Sequence, residues 1–315
     1  MRILMTGALG FVGPYVQAAV AERHGAAPVW YLTSHRGGTR PDGTKTTALD
    51  VCDRAAVRQA IADIRPQIVI HLAGITSVKN AEAAAHETWR VNVLGTLNLV
   101  QELIEQVPGS TFVSAGTALA YGESARDGHA LTEEDVLSPQ NDYAVTKAAA
   151  DLALGALADR GVKILRFRPF NHTGPGQGET FAIPSFVGQV ARIEAGKADA
   201  VLRVGNLDVE RDFLDVRDVA RGYALAIERT DDLPSGTIIN LASGSARSLR
   251  SLLDTILSQA RTEIAVVTDP DRLRAGELPI FRGNADKARR LLDWSPQIDL
   301  SDTIRQMIAH VRAGV

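Results

Sequence analysis

The chain is predicted to fold as a doubly wound α/β protein, a parallel sheet of Rossmann type with a smaller, interleaved C-terminal lobe. Three observations predict it. Short apolar runs alternate with longer helical patterns, the order that parallel strands and their right-handed crossovers require. The first run, MRILMT, is followed at once by Gly7-Ala8-Leu9-Gly10-Phe11-Val12-Gly13 and then by an amphipathic helix. After Arg168 the alternation breaks off into Pro169-Phe170-Asn171-His172-Thr173-Gly174-Pro175-Gly176-Gln177.

In chain order, strands are expected at 2–6, 29–33, 46–48, 68–72, 111–114, 163–168 and 238–241. Helices are expected at 12–24, 54–64, 84–105, 143–158 and 216–227. The glycine turn after the first strand lets backbone approach a pyrophosphate, and the amino end of the next helix attracts its charge. Ligands of such sheets bind beyond the carboxyl ends of the strands. Gly7, Arg36, Gly74 and Thr117 all fall there, around one crevice. Residues 1–170 and 212–243 are assigned to the dinucleotide-binding domain, and 171–211 and 244–315 to the second lobe. No internal repeat or low-complexity linker separates them.

Composition excludes several classes. A net charge of −3 over 315 residues provides no basic stripe for nucleic acid. The single cysteine, Cys52, allows no intramolecular disulfide and lacks companions for a structural zinc site, so no metal is expected. Met1 and Arg2 enter the first strand directly, which reads as the absence of a signal peptide. No apolar run is long enough for a bilayer, and a soluble cytoplasmic protein is expected.

Tyr143-Ala144-Val145-Thr146-Lys147 carries the chemistry. Four residues apart on a helix, the phenol and the ammonium project from one face. A tyrosine with its ordinary pKa of about 10 is a poor proton shuttle at neutral pH. A neighbouring cation is expected to favour the phenolate and bring that value down.

An N-terminal TGxxGxxG with a distant YxxxK resembles the short-chain dehydrogenase/reductase superfamily in its extended branch, which acts mostly on nucleotide-activated sugars. The resemblance covers nearly the whole chain. It implies cofactor contacts from Gly7, Gly10, Phe11, Val12 and Gly13, and from Asp50 and Val51 at the adenine. It extends them to Leu72, Ala73 and Gly74 after the fourth strand, to Asn92 in a V-N-x-x-G-T helix, and to Phe170, Tyr143 and Lys147. Trp294-Ser295-Pro296 matches the family's terminal W-x-P. Thr117, four residues before the tyrosine of Tyr121-Gly122, matches the hydroxyl that binds the reacting oxygen; otherwise it is a turn threonine bonding its own backbone. Sugar-nucleotide dehydratases carry an acid two residues before that tyrosine. Here the position is Leu119, and dehydratase chemistry is set aside.

Segments 168–177 and 204–218 look like the corresponding parts of reductases of GDP-4-keto-6-deoxy-D-mannose. That likeness implies Asn171 and Arg211 along the substrate diphosphate and Arg274 and Glu277, an R-x-x-E element, at the nucleoside. The competing readings are an ion pair of Arg211 with Asp212 or Asp215 and a solvated Glu277; His172 reads as a packed loop histidine. The second strand ends in Thr33-Ser34-His35-Arg36 with no carboxylate until Asp42. An acid there would repel a ribose 2′-phosphate, whereas Ser34 and Arg36 accept one, so NADP(H) is expected, with NAD(H) possible. Alternatively, Arg36 and Arg40 are solvated loop charges.

The reading is a reductase in which NADPH reduces the C4 ketone of a GDP-linked 4-keto-6-deoxyhexose to a product such as GDP-D-rhamnose or its 6-deoxytalose epimer. Thr117, Tyr143 and Lys147 are its catalytic residues. One rival is a nucleotide-sugar 4-epimerase with retained NAD, the other a non-catalytic dinucleotide sensor. A homodimer is expected from Ala148, Ala149, Leu152, Leu154 and Ala156 on one helix beside the 84–105 helix, unless those faces are buried within the monomer.

Overall fold

The structure, a computed structural model, describes residues 1–273 and 276–314. Its centre is an eight-stranded sheet. From one edge the strands run Thr237–Leu241, Lys163–Pro169, Thr111–Ala115, Ile68–His71, Arg2–Thr6, Val29–Ser34, Lys45–Ala48 and Gly38–Thr39. All neighbours pair parallel except the last two, which form an antiparallel ribbon. The chain winds outward from Arg2–Thr6 in one direction and then returns to fill the other side. The order therefore reverses between Arg2–Thr6 and Ile68–His71, where ligands of open α/β sheets bind.

Strand alternation explains why helices cover both faces. Ile3, Met5, Ile68, Ile70, Val113 and Leu165 point into one core with Val16, Val20 and the helix Val216–Glu228. Leu4, Val69, Phe112 and Ile164 point into the opposite core with Val57, Ile61, Leu99 and Leu103. Successive side chains of a strand face opposite ways, so strands apolar at every position need helices on both sides. All seven expected strands and all five expected helices form within a residue or two of the expected ends.

The expected 84–105 helix runs over 85–106 but is not α-helical throughout. A π-helical turn, Arg90–Gly95, joins its α-helical stretches Ala85–Trp89 and Thr96–Gln106, and a separate short helix, Val78–Ala83, precedes it across Ala84. Such turns insert one extra residue and often mark functional positions. Here the turn contains Asn92, which is buried.

A third core belongs to the smaller lobe and gathers helices Ala182–Glu194, Leu249–Leu257 and Leu300–Gly314 around Phe186, Leu202, Ile256 and Ile304. A small sheet joins the two parts. Glu210–Asp215 is its axis, pairing with Ala246–Ser248, Ile280–Gly283 and Asn171–Thr173, while Ala130–Leu131 pairs with Ile280–Gly283. Asp218 fastens the tail by accepting from the main-chain nitrogens of Gln297 and Ile298 at 3.0 Å, and its carbonyl accepts from Trp294 Nε1 at 2.8 Å. That contact accounts for the W-x-P element. Among the described residues no helix is long and apolar enough to cross a membrane.

Candidate active site

The glycine turn is shaped for a dinucleotide. Gly7 lies at φ +70°, and a Cβ there would meet Ala73 N at 2.6 Å, so only glycine seats the turn against the neighbouring strand end. At Gly13 a Cβ would sit 2.6 Å from Ala8 O, which lets the helix Gly13–His24 start directly on the turn. That helix has no side-chain cap and no acid in its first turn. Gly13 N donates to Gly10 O at 3.2 Å and Pro14 has no N–H, so it is the positive end of the helix dipole that faces an anion at the turn. The surroundings fit a dinucleotide diphosphate.

Beyond the strand Val29–Ser34, a cleft of about 440 Å³ is lined by Leu9, Ser34, His35, Arg36 and Gly37. No carboxylate lines it. Arg36 is exposed, whereas Arg40 is buried. Arg40 donates to Ala8 O from Nε at 3.0 Å and from Nη1 to Gln17 at 2.7 Å, bracing the glycine turn from behind. For Arg40, then, the reading as a solvated loop charge is corrected, because burial against the turn leaves its donors facing a backbone carbonyl. Asp50 accepts from Cys52 N at 2.9 Å, and Val51 packs against Gly95.

Asn141 caps the helix Asp142–Ala156 by accepting from Ala144 N at 2.9 Å, which starts it one residue before Tyr143. Tyr143 and Lys147 occupy its buried face, each 8 % exposed. Thr117 ends the segment that follows Thr111–Ala115 and caps the first 3₁₀ turn of Ala118–Ala125, a stretch kinked at Gly122, its hydroxyl accepting from Leu119 N at 3.2 Å. The same hydroxyl lies beside the phenol of Tyr143 and acts to lower its pKa. Lys147 Nζ donates to Ala115 O at 2.8 Å, beside Gly74.

The direction of the Tyr143 shift corrects the expectation. Burial pushes its pKa up and the neighbouring Thr117 hydroxyl only partly opposes it. The ammonium is drawn onto the Ala115 carbonyl, and burial lowers Lys147 itself to about 8. The phenol therefore keeps its proton at neutral pH.

Asn92 braces this arrangement. Its amide bonds both Ile75 N at 2.9 Å and Ile75 O at 3.1 Å, and donates to Thr146 Oγ1 at 3.1 Å. Leu72 and Ala73 are tied to Thr6, through Leu72 N to Thr6 O at 3.2 Å and Ala73 N to Thr6 Oγ1 at 3.4 Å. Leu119 packs against the main core, so the structure places an apolar side chain where dehydratase chemistry needs a carboxylate.

In the lobe, Asn171 pairs with Phe213, and Arg211 lies two residues away on the same strand. By the alternation of strands the three share a face. Arg211 Nη1 donates to Leu278 O at 2.9 Å, directly after Glu277. Asp212 turns away to Ser243, Gly244 and Gly283, and Asp215 is engaged by Arg217 and Thr303. Glu277 is half-buried; Arg274 lies outside the described residues. Phe170 packs its ring against Tyr121 and Phe281. His172 is a packed histidine, its Nδ1 bonded to Phe170 O at 3.1 Å and its ring stacked on Phe11.

Asp151, Arg168 and Arg40 were not singled out by sequence reasoning for the roles they take here. Asp151 was readable in principle, since it follows Lys147 by one further helical turn.

A doubly wound sheet with Thr117, Tyr143 and Lys147 gathered beyond its strand ends defines a short-chain dehydrogenase/reductase of the extended type. The chain belongs to the family described as GDP-mannose 4,6 dehydratase, whose profile matches residues 4–307. It is 33 % identical over 312 residues to GDP-6-deoxy-D-mannose reductase of Pseudomonas aeruginosa, covering 98 % of this chain and 96 % of that one. The structure of RMD from Pseudomonas aeruginosa complexed with NADPH superposes with a TM-score of 0.86 at 31 % identity, over 100 % of this chain and 99 % of that one. UDP-glucose 4-epimerase of Thermus thermophilus, complexed with NAD, reaches 0.83 at 26 % identity over the full length of both chains.

Proposed function

We propose that the protein reduces the C4 ketone of a GDP-linked 4-keto-6-deoxyhexose with NADPH, giving a GDP-6-deoxyhexose such as GDP-D-rhamnose. The observation that carries this reading is the buried Tyr143 phenol, kept protonated by its burial, with Thr117 beside it and Lys147 one helical turn away. Ketone reduction needs a proton donor at the carbonyl oxygen, and a phenol whose pKa is raised holds that proton at neutral pH. The likeness to the Pseudomonas aeruginosa reductase supports the sugar class.

A bound nicotinamide supplies the hydride. Tyr143 holds the proton for the forming alkoxide, and Thr117 offers a second hydrogen bond to the same oxygen. Lys147, anchored on Ala115 between Gly74 and the catalytic helix, places its cation where the cofactor ribose would lie. Ser34 and Arg36 line the cleft suited to a 2′-phosphate. Gly7, Gly10 and Gly13 with the uncapped helix would take the diphosphate. Asn171, Arg211 and Glu277, with Arg274, form the proposed site for the sugar nucleotide in a lobe made by 171–211 and 244–315.

The protein is proposed to work as a homodimer. Leu154 and Ala148 are buried within the monomer, but Leu152, Trp89 and Leu94 remain 62 %, 42 % and 55 % exposed on adjoining helical segments. Large apolar side chains grouped in this way mark an association surface.

Incubation with GDP-4-keto-6-deoxymannose and NADPH tests the reading. Oxidation of NADPH matched by one equivalent of a GDP-6-deoxyhexose, identified by NMR, is the expected result. Interconversion of 4-epimers without net NADPH consumption would establish the epimerase instead.

A further inference from the structure

Beneath the catalytic residues lies a buried polar cluster to which the sugar and the cofactor assign no role. Asp151 stands on the catalytic helix four residues beyond Lys147 and eight beyond Tyr143, on their face. Arg168 meets its carboxylate side-on, with Nε to Oδ2 at 3.1 Å and Nη2 to Oδ1 at 2.8 Å. Both side chains are 4 % exposed. Arg166 reaches the same carboxylate through Nη1 at 3.0 Å.

The third nitrogen of Arg168 points elsewhere. Nη1 donates to the hydroxyl of Tyr121 at 3.0 Å and to Glu133 O at 3.4 Å. Tyr121 has one proton, which it donates to Asn240 Oδ1 at 2.8 Å, so its oxygen is an acceptor toward Arg168. Asn240 is itself fixed, donating from its main chain to the Glu133 carboxylate at 2.7 Å and from Nδ2 to Leu131 O at 3.1 Å. Tyr121 belongs to the 3₁₀ helix that Thr117 caps.

A buried ion pair is weak grounds for stability, because desolvating both charges offsets much of their attraction. Its geometry is a stronger argument. The guanidinium is planar and rigid. One edge grips the helix that carries Tyr143 and Lys147, and the other grips the segment that carries Thr117. We infer that Arg168, held by Asp151, is a positioning residue that sets the separation of the Thr117 hydroxyl and the Tyr143 phenol. It does so by bracing their two segments through Asp151 and Tyr121. The inference rests on the proposed roles of Thr117 and Tyr143 at the carbonyl oxygen.

The rival explanation is that the pair serves only to hold the fold. The double variant Asp151→Leu/Arg168→Met separates the two, since apolar replacement of a buried pair commonly preserves or raises stability. Arg166 keeps its bonds to Gly236 O and to the main chain at 151. Tyr121→Phe is the second variant; it leaves the ion pair intact and removes only the bridging oxygen. Two quantities are read in each. The first is the ¹³Cζ resonance of Tyr143, assigned by its loss in Tyr143→Phe; the second is the split between kcat and KM. In the double variant the resonance is expected to move and kcat to fall at least about tenfold, with dinucleotide affinity and KM little changed. Tyr121→Phe is expected to move the same resonance and to lower kcat by about threefold or more. A wild-type resonance and wild-type kcat in a folded double variant would overturn the inference, as they would in Tyr121→Phe if the double variant does not fold. Should the wild type not turn over the keto sugar at all, the substrate reading fails, while the resonance still decides the positioning role.

Discussion

Lys147 donates from Nζ to the carbonyl oxygen of Ala115 at 2.8 Å, tying the catalytic helix to the end of the strand that leads into Thr117. The bond holds the ammonium in a buried place, and burial lowers it to about 8. The lysine is thus set near its own titration, while the neighbouring phenol is pushed the opposite way.

The first prediction is a pH dependence. Above pH about 8 Lys147 loses its charge, and with it the cation proposed for the cofactor ribose. The catalytic efficiency of reduction is expected to fall through that value, and Lys147→Met, much slower throughout, should lack this ionisation. The stability effect has the opposite sign. The unfolded lysine keeps its proton to about 10.4, so between about 8 and that value the unfolded state binds more protons and stability rises with pH. His71 is pushed down to about 3 by burial and adds no acid limb near neutrality. A flat rate profile up to pH about 10 would remove Lys147 from the mechanism.

Tyr143→Phe deletes the hydroxyl and keeps the ring. Its affinity for NADPH, followed by cofactor fluorescence, should stay near that of the wild type. Turnover should drop at least about a hundredfold, the usual contribution of a general acid. Thr117→Val should cost less, because it removes an orienting hydrogen bond and leaves the proton in place. Near-normal turnover in Tyr143→Phe would mean the proton comes from elsewhere.

Arg36→Ala is expected to weaken NADPH about tenfold and leave NADH nearly unchanged, the order for a charge-assisted contact reduced by solvent. Titration calorimetry with both cofactors measures the ratio. Equal losses for the two would place Arg36 away from the 2′-phosphate. Arg40, which holds Ala8 O, is expected to affect both cofactors alike when replaced by Met.

Light scattering at micromolar concentration should give the mass of a dimer, and Leu152→Asp should shift it toward monomer. A monomeric wild type would leave the exposed Trp89, Leu94 and Leu152 without the proposed partner.

Patterns with a local cause were legible in the sequence. The strands declare themselves by continuous apolar runs, the glycine turn by spacing, and the pair Tyr143 and Lys147 by one helical turn. Leu119 could be read as the loss of a carboxylate because only its identity mattered. Local pattern did not show that the 84–105 helix would contain a π turn. The π turn at 90–95 depends on Asn92 reaching Ile75 and Thr146, partners far along the chain.

Electrostatics lay further out of reach. The spacing of Tyr143 and Lys147 implies attraction between cation and phenolate, and with it a lowered pKa. The fold instead buries both groups and gives the ammonium a carbonyl partner, so desolvation, which depends on everything packed around a group, decides the direction. Arg40, for which a solvated loop charge was the alternative reading, and Arg168, read as the start of a lobe motif, became buried donors for the same reason. The sequence by itself determined the elements, the glycine turn and the proposed reacting groups, because residue type and short-range periodicity suffice for those. Only the tertiary structure decided which charges lost water and which partners they found, because that depends on contacts between segments far apart in the chain.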